Sequence, residues 1–389
     1  SSGVSEIKNI LKSDDVLNTI NAFKNMGVKI ETKEDSIIIH GNGLNSLTKP
    51  SNKIYLGNSG TSARLLSGLL ASQNFETILE GDKSLSSRPM KRIIEPLEKM
   101  GAKISSNNGK LPITIKGKKL NCIKYEIPIP SAQIKSGIIL AALNTEGITE
   151  IIEADITRDH TEIMLKSFGA NIDIEEKNKT KLIKIKGQQE LNAKNITVPS
   201  DLSSSAFFIV AALINENSLI SMKNININPT RNGILDALNL MGANIKIENK
   251  KLINEELVAD IEVKTSNLNG CELNSDMAKL MIDEYPILSI AASFANSPSI
   301  FRGLKELRVK ESDRLELIKI NLLNCGVKCE VINDDLFIYP AKKYFIKNNI
   351  IRTDYDHRIA MSFAIMGTKL DEEIIIQDSE SINTSFPKF

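Results

Sequence analysis

One local pattern recurs five times along the 389-residue chain and constrains its fold more than any other feature. In each copy an amphipathic stretch ends in a bulky residue, then a glycine, then Ala or Val, and a short alternating segment follows. The glycines are Gly27, Gly101, Gly169, Gly242 and Gly326. Glycine readily adopts the positive φ that follows the last turn of many helices, and alternation with period two is typical of a strand. Because successive copies lie 68 to 84 residues apart, we predict a repeated α/β unit of one or two helices and several strands.

The sequence also predicts where the repeats divide into two lobes. The segment NITVPS ends at Ser200, and an apolar helical pattern begins at Asp201, with Ser or Asp available as its N-cap. Three copies precede this point, and two copies with a final helical stretch follow it. We therefore expect a first lobe at residues 1–200 and a second lobe of similar design at residues 201–389. A cleft between the lobes is the expected ligand site.

Composition excludes several functional classes. Lys and Arg number 49 against 48 Asp and Glu, so the net charge of +1 supplies no general attraction for nucleic acid or an anionic membrane. The longest apolar run, 206–214, is far shorter than the roughly 20 residues of a membrane-spanning helix. Four cysteines without a C-x-x-C pair favour a reducing compartment. We expect a cytoplasmic protein that binds neither nucleic acid nor a membrane.

A glycine-rich turn is the first candidate for ligand binding. A short strand at Ile54 leads into Gly57-Asn-Ser-Gly60-Thr61 and then directly into a helix. Glycines allow a ligand close to the backbone, and the free N–H groups of a helix N-terminus favour phosphate or carboxylate. The chain has no G-x-x-x-x-G-K-[ST], which argues against a nucleoside triphosphate. The alternative is a purely structural turn capped by Thr61.

Several arginines also stand at predicted junctions between loops and helices, namely Arg88, Arg158, Arg308, Arg314 and Arg358. The guanidinium fork binds carboxylate and phosphate in a fixed geometry, so such a set suits a small polyanionic substrate. For each arginine alone, a solvated surface position is the alternative.

Ser131 stands before the apolar helix GIILAAL, where an N-cap belongs. It either caps that helix only or, together with Gln133, faces the cleft and binds hydroxyl or phosphate groups of a ligand.

Acidic residues at two places in the chain, 283–284 and 311, could supply a general base. Asp283 and Glu284 precede an apolar helix, where partial desolvation raises the pKa of a carboxylate toward a useful value. The alternative for Asp283 is an N-cap. Glu311 is a second candidate, and its alternative is an i, i+3 pair with Arg314.

The three histidines are far apart in sequence and suggest no metal site. Cys325 and Cys329 are predicted to be buried beside a helix end.

Nine motifs in order resemble the 5-enolpyruvylshikimate-3-phosphate synthase family. They are LGNSGTSARLL, SRPM, SAQIKS, TRDHTE, PSDLSSSAFF, DEYPILSIAA, LRVKESDRL, DYDHRIAM and SFPKF. The resemblance implies an α/β fold, the two-lobed inverse α/β barrel of enolpyruvyl transferases, with three βαβαββ units in each lobe. It also implies transfer of the enolpyruvyl group of phosphoenolpyruvate to the 5-hydroxyl of shikimate 3-phosphate in aromatic amino acid biosynthesis, the step that glyphosate inhibits. The family uses no metal or organic cofactor, and we expect a monomer.

The same resemblance assigns roles to individual residues. The ligands of phosphoenolpyruvate would be Gly60, Arg88, Gln133, Arg314 and Arg358. The ligands of shikimate 3-phosphate would be Ser131, Ala132, Gln133, Thr157 and Lys310. Asp283 would be the base at the 5-hydroxyl and a contact of the substrate, and Glu311 and Lys310 would assist proton transfer.

One departure from the family leaves alternatives open. The family begins with a Lys-Ser-x-Ser-x-Arg segment, whereas residues 1–15 resemble the stretch that follows it, so we expect an N-terminally incomplete first lobe. A catalytically impaired fragment or a binding-only homologue is therefore the main alternative. UDP-N-acetylglucosamine enolpyruvyltransferase shares the fold and the chemistry but carries a reactive loop cysteine and lacks the D-H-R-x-A-M signature. An RNA 3′-phosphate cyclase is disfavoured by the neutral charge and the missing nucleotide motif.

Overall fold

The computed structural model describes residues 1–178, 180–341 and 343–389. They form two compact units, Ser1–Val198 and Pro199–Phe389, whereas the sequence placed the division after residue 200. Each unit encloses a hydrophobic core of its own, formed by the inner faces of its helices and sheets.

The first unit contains twelve strands and six helices among its described residues. The strands are β1 (Ser2–Lys8), β2 (Lys29–Thr32), β3 (Ser36–Asn42), β4 (Ile54–Tyr55), β5 (Glu76–Glu80), β6 (Lys103–Asn107), β7 (Lys110–Lys116), β8 (Lys124–Glu126), β9 (Ile148–Glu153), β10 (Ile172–Lys177), β11 (Thr180–Lys186) and β12 (Ile196–Thr197). The helices are α1 (Asp14–Asn25), α2 (Gly60–Ala71), α3 (Lys83–Ser87), α4 (Lys91–Lys99), α5 (Ala132–Leu143) and α6 (His160–Ser167).

The described part of the second unit contains nine strands, six α-helices and two 3-10 helices. The strands are β13 (Leu219–Asn226), β14 (Asn244–Ile253), β15 (Glu256–Lys264), β16 (Glu272–Leu273), β17 (Ser299–Phe301), β18 (Lys328–Ile332), β19 (Asp335–Tyr339), β20 (Ile350–Ile351) and β21 (Ile375–Ile376). The α-helices are α7 (Leu202–Ile214), α8 (Gly233–Leu240), α9 (Ser275–Met281), α10 (Tyr285–Ser293), α11 (Arg314–Asn324) and α12 (His357–Gly367), and the 3-10 helices are Lys305–Val309 and Ser379–Thr384.

The sheets repeat one arrangement, which confirms the α/β class and the repeated unit. In the first unit the strand orders are β4-β5-β7-β6, β8-β9-β11-β10 and β12-β1-β3-β2. In each sheet the first pair is parallel and the other two pairs are antiparallel. The sheet β16-β17-β19-β18 of the second unit has the same order. In the sheet β13-β15-β14 a parallel bridge from Ser200 to Ile225 takes the place of the first strand, and β20 and β21 form a parallel pair.

All five glycines of the sequence pattern end a helix as predicted. Their φ angles lie between 80° and 96°. In each case the N–H of the following Ala or Val donates to the carbonyl five residues earlier, for example from Val28 to Phe23 at 3.0 Å. This bond from the second residue past the cap back into the last turn is the Schellman arrangement, and it explains why the pattern continues with a small apolar residue.

Two further glycines bring α2 and α5 close together. A Cβ placed on Gly68 would lie 1.9 Å from the carbonyl oxygen of Gly137, and one on Gly137 would lie 3.0 Å from that of Arg64. The two helices therefore pack backbone to backbone, and their N-terminal ends, which begin at Gly60 and Ala132, lie side by side.

Substitution of a helix-ending glycine tests the repeat. A Cβ on Gly242 would meet nothing closer than 3.8 Å, so Gly242→Ala changes the backbone preference without creating a clash. A left-handed conformation costs an L-residue about 1–2 kcal/mol, and we expect that decrease in the free energy of unfolding, measured by urea denaturation. Gly242→Asn is the control, because Asn tolerates positive φ and should cost less. Equal stability of the Gly242→Ala variant and the parent chain would contradict the assignment.

Candidate active site

The glycine-rich turn 57–61 joins β4 to the N-terminus of α2. The Ser62 amide donates to Ser59 Oγ at 3.3 Å, so Ser59 is the N-cap and the structural alternative of a cap at Thr61 is wrong. Thr61 Oγ1 instead accepts a hydrogen bond from Gln133 Nε2 at 2.8 Å. The turn is thereby linked to the first turn of α5, whose side chains the sequence assigned to ligand binding.

Two arginines line this turn. Arg88 has 7% of its surface exposed and donates to the Asn58 carbonyl at 3.3 Å as well as to the Asn58 side chain. Asn58 is held in turn, because its amide donates to Asp82 at 2.8 Å. Arg64 donates from Nη1 to the Gly60 carbonyl at 3.1 Å and to Gln133 Oε1 at 2.9 Å.

The contacts bring three predicted residues, Gly60, Arg88 and Gln133, into one group. We name Asn58, Gly60, Arg64, Arg88 and Gln133 the first-unit cluster. The sequence reasoning did not assign Arg64 or Asn58 to the site, although Arg64 stands one turn after Gly60 on the same helix. A Cβ on Gly60 would lie 2.8 Å from Arg64 Nη1 and 3.1 Å from Arg88 Nη1, so the absent side chain lets two guanidinium groups approach the backbone.

The remaining predicted residues of the first unit lie at the start of α5 and in the loop after β9. Ser131 caps α5, since its Oγ accepts from the Ile134 amide at 3.4 Å, and Ala132 is the first residue of the helix. Thr157 has 8% of its surface exposed, and its hydroxyl donates to Glu153 Oε1 at 2.5 Å. The hydroxyl of Thr157 therefore points into the unit, where it holds the loop in place.

In the second unit the predicted base lies between two cations. Asp283 Oδ1 is 3.2 Å from Lys310 Nζ and 3.2 Å from Arg314 Nη1. Helix α10 begins at Tyr285 with Glu284 in the N-cap position, so the alternative of Asp283 as an N-cap is wrong. Cations at this distance stabilise the ionised carboxylate, which is the form that accepts a proton.

Arg314 is the centre of the second group. It is 1% exposed, and its Nε lies 2.8 Å from Oδ2 of the fully buried Asp356. Its Nη2 lies 2.5 Å from Glu311 Oε2, so the i, i+3 pair exists, although Glu311 precedes α11. Burial alone would lower the pKa of Arg314, but the negative charge of Asp356, followed by that of the other carboxylates, raises it above its usual value.

Asp356 was not assigned to the site from the sequence, although it is the first residue of the predicted final helical stretch. It caps α12 through the Arg358 amide at 2.9 Å and also accepts from Ser312 Oγ at 2.9 Å. Arg358 donates from Nη1 to the Asp283 carbonyl at 3.1 Å, and the same atom lies 3.6 Å from Glu284 Oε1.

We name Asp283, Lys310, Glu311, Arg314, Asp356 and Arg358 the second-unit cluster. It contains all five residues that the sequence assigned to the site in this unit. Chemically, three cations can bind an anion, and the carboxylate of Asp283 beside them can accept a proton.

The two cysteines beside the end of α11 are buried, as predicted. Cys325 is fully buried and Cys329 is 4% exposed, and burial raises the pKa of each thiol to about 12.

Among the described residues no group of three or more His, Cys, Asp or Glu side chains could hold a metal ion. Within the same residues no helix has the length and apolar character needed to cross a membrane.

His357, between two members of the second-unit cluster, supplies a pH probe. Burial lowers its pKa to about 4, so the folded chain favours the neutral imidazole. The unfolded chain takes up a proton near pH 6.5, and the contribution of His357 to stability is therefore complete above that pH and is lost as the pH falls toward 4. We expect its proton NMR signal, identified by comparison with the His357→Gln variant, to titrate near pH 4. Titration near pH 6.5 would show that the imidazole is not desolvated in the folded chain.

Comparison with known proteins identifies the family. The family model for EPSP synthase (3-phosphoshikimate 1-carboxyvinyltransferase) matches residues 1–389. The 3-phosphoshikimate 1-carboxyvinyltransferase of Ruthia magnifica subsp. Calyptogena magnifica is 49% identical over 389 residues, which are 100% of this chain and 88% of the relative. That of Thermoanaerobacter sp. (strain X514) is 43% identical over 388 residues, 100% of this chain and 90% of the relative.

Solved structures agree with this result. The EPSP synthase structure from Acinetobacter baumannii matches with a TM-score of 0.85 and 41% identity, over 100% of this chain and 88% of that one. The enolpyruvyl transferase NikO from Streptomyces tendae matches with a TM-score of 0.74 over 100% of this chain and 87% of that one, and at 15% identity it supports the fold alone. The chain therefore belongs to the EPSP synthase family and has the enolpyruvyl transferase fold.

Proposed function

We propose that the chain performs the reaction of its family, transfer of the enolpyruvyl group from phosphoenolpyruvate to the 5-hydroxyl of shikimate 3-phosphate, with release of phosphate, in aromatic amino acid biosynthesis. The observation that carries the proposal is the second-unit cluster, where Asp283 lies 3.2 Å from both Lys310 and Arg314. Such a group combines a proton acceptor with cations for two anionic substrates, which is what the reaction requires.

The proposed ligands of phosphoenolpyruvate are charged or amide-bearing side chains and one glycine, namely Gly60, Arg88, Gln133, Arg314 and Arg358. Arg88 and Arg314 are almost fully buried and are held by Asn58 and Asp356, so their guanidinium groups are oriented before a ligand arrives. A preoriented donor loses little conformational entropy on binding, and this supports a role in charge neutralisation.

The proposed contacts of shikimate 3-phosphate are Ser131, Ala132, Gln133, Thr157, Asp283 and Lys310. The Thr157 hydroxyl donates a hydrogen bond to Glu153. Any direct contact of that hydroxyl with the substrate would therefore use its oxygen as an acceptor. The same hydrogen bond to Glu153 also holds the loop after β9.

The reaction proceeds through a tetrahedral intermediate. Asp283 takes the proton of the 5-hydroxyl while that oxygen forms a bond to C2 of phosphoenolpyruvate, and C3 gains a proton. The C2–O bond to phosphate then breaks, and C3 loses a proton to restore the double bond. Lys310 and Glu311 are proposed to assist these proton transfers, and the contact of Lys310 Nζ with Asp283 at 3.2 Å supports this role for Lys310.

The chain acts as a monomer in the cytoplasm under this proposal. The cysteine pattern supports a reducing compartment, since all four cysteines are free thiols and Cys122 is exposed.

A phosphate-release assay tests the function. We expect phosphate only when phosphoenolpyruvate and shikimate 3-phosphate are both present, in a one-to-one ratio with the shikimate 3-phosphate consumed. Each substrate alone is the control. The assay should be run on this chain and on the chain preceded by the Lys-Ser-x-Ser-x-Arg segment of the family, because activity of the longer chain only would identify the impaired-fragment alternative. No phosphate from either chain would reject the proposal.

Substitution of the proposed base separates catalysis from binding. Asp283→Asn keeps the size of the side chain and one acceptor oxygen but cannot accept the proton, so we expect kcat to fall by roughly 100-fold or more. The Kd of shikimate 3-phosphate, measured by calorimetry, should stay within about threefold, because one ligand contact is altered rather than removed. A comparable loss of binding and turnover would assign Asp283 a structural role instead.

A further inference from the structure

A fully buried lysine lies directly behind the proposed shikimate 3-phosphate contacts. Lys135, in the first turn of α5, has no exposed side-chain surface. Its Nζ lies 2.9 Å from Glu153 Oε2 at the end of β9 and 2.8 Å from Glu162 Oε1 in α6. Both carboxylates are also almost completely buried. A buried ammonium is retained only where close partners compensate its lost hydration.

The same lysine joins two substrate-binding segments. Its backbone N–H donates to the Ser131 carbonyl at 3.1 Å, and its ammonium donates to the Thr157 carbonyl at 3.4 Å. Glu153 holds the other side of the loop, because it accepts the Thr157 hydroxyl. A second contact, between Ser136 Oγ and Thr161 Oγ1 at 2.6 Å, connects α5 with α6. Lys135 is therefore the residue whose ammonium connects α5 directly to the loop 154–159.

Burial of the charges in this cluster carries a desolvation cost, which offsets part of the stability that its contacts supply. Two carboxylates face one ammonium, and burial raises the pKa of Glu153 while Lys135 opposes that shift. Lys181, the cross-strand partner of Glu153, is 5% exposed and lies 3.8 Å from Asp159, which gives the loop a second buried cation. Apolar residues of similar volume often give equal or greater stability than a buried ion cluster, so stability alone gives no reason for a lysine here.

We propose that Lys135 is a positioning residue for shikimate 3-phosphate: its ammonium holds the loop 154–159 against the start of α5, so that Ser131 and the Thr157 segment bind the substrate in one geometry. This inference rests on the proposed function. It assigns no contact between Lys135 and the substrate, since the side chain is buried behind the binding residues.

The test compares three variants of the full chain. Lys135→Met removes the ammonium and keeps the length of the side chain. Lys135→Met/Glu162→Gln restores the formal charge of the cluster, because one carboxylate then remains where two carboxylates faced one ammonium. Ile138→Ala is the control for lost stability, since Ile138 is fully buried in the same helix and is not itself a proposed ligand residue. Calorimetry gives the Kd of shikimate 3-phosphate, and initial rates give KM for each substrate.

We expect the Kd and KM of shikimate 3-phosphate to rise at least tenfold in both Lys135 variants. KM for phosphoenolpyruvate, at saturating shikimate 3-phosphate, should change less than twofold. Ile138→Ala should lower Tm and leave both constants within twofold. The charge-balanced double variant also keeps the test valid if the single variant does not fold.

Two results would overturn the inference. Unchanged binding of shikimate 3-phosphate in the Lys135 variants would make the lysine purely structural and would leave the proposed function intact. Recovery of the parent Kd in the double variant would mean that charge balance, not the tie to the loop, is what matters. If the parent chain itself bound no shikimate 3-phosphate, the ligand assignment would fall together with this inference.

Discussion

The buried ion pair between Arg314 and Asp356 is the contact on which the second-unit cluster depends. Arg314 is 1% exposed and Asp356 is fully buried, so each charge would be costly without the other. The pair joins the start of α11 to the cap of α12, because Asp356 also accepts from the Arg358 amide. With Arg314 fixed, Asp283 and Lys310 have a defined place beside it, and the proposed base lies next to the cations proposed to bind the substrates.

The first unit uses neutral and acidic side chains for the same purpose. Asp82 holds Asn58, which in turn accepts from Arg88, and Gln133 links Arg64 to the turn at Thr61. In both units the groups proposed to bind anions are oriented by partners within the protein, and in the first unit Gly60 leaves space for two guanidinium groups. Neutrality of the whole chain is compatible with this design, because the field at a site comes from nearby oriented groups and not from net charge.

The repeat could be predicted from the sequence because it leaves a local signature, whereas the candidate site residues were assigned through the resemblance to the family. Each helix-ending glycine can be identified from the residues next to it in sequence, and all five have the expected positive φ. The partners of the site residues leave no such signature. Asp356 pairs with a residue 42 positions away in sequence, Arg64 with one 69 positions away, and Lys135 is inconspicuous within an apolar helix. Helix caps were misplaced by one or two residues, at Ser59 and Glu284, because several neighbouring polar residues could serve equally well.

Carboxylates behind the cations should strengthen anion binding by orienting the guanidinium groups, although their charge opposes it. The most direct test is the affinity for phosphoenolpyruvate, measured by calorimetry with shikimate 3-phosphate present, of Asp356→Asn and of Asp354→Asn. Asn still caps a helix, and Asp354 is an exposed carboxylate two residues away that pairs with Arg352. Loss of a negative charge alone would tighten the binding of an anion in both variants. We predict at least tenfold weaker binding for Asp356→Asn and a change of less than twofold for Asp354→Asn, whereas equal or tighter binding by Asp356→Asn would contradict the account.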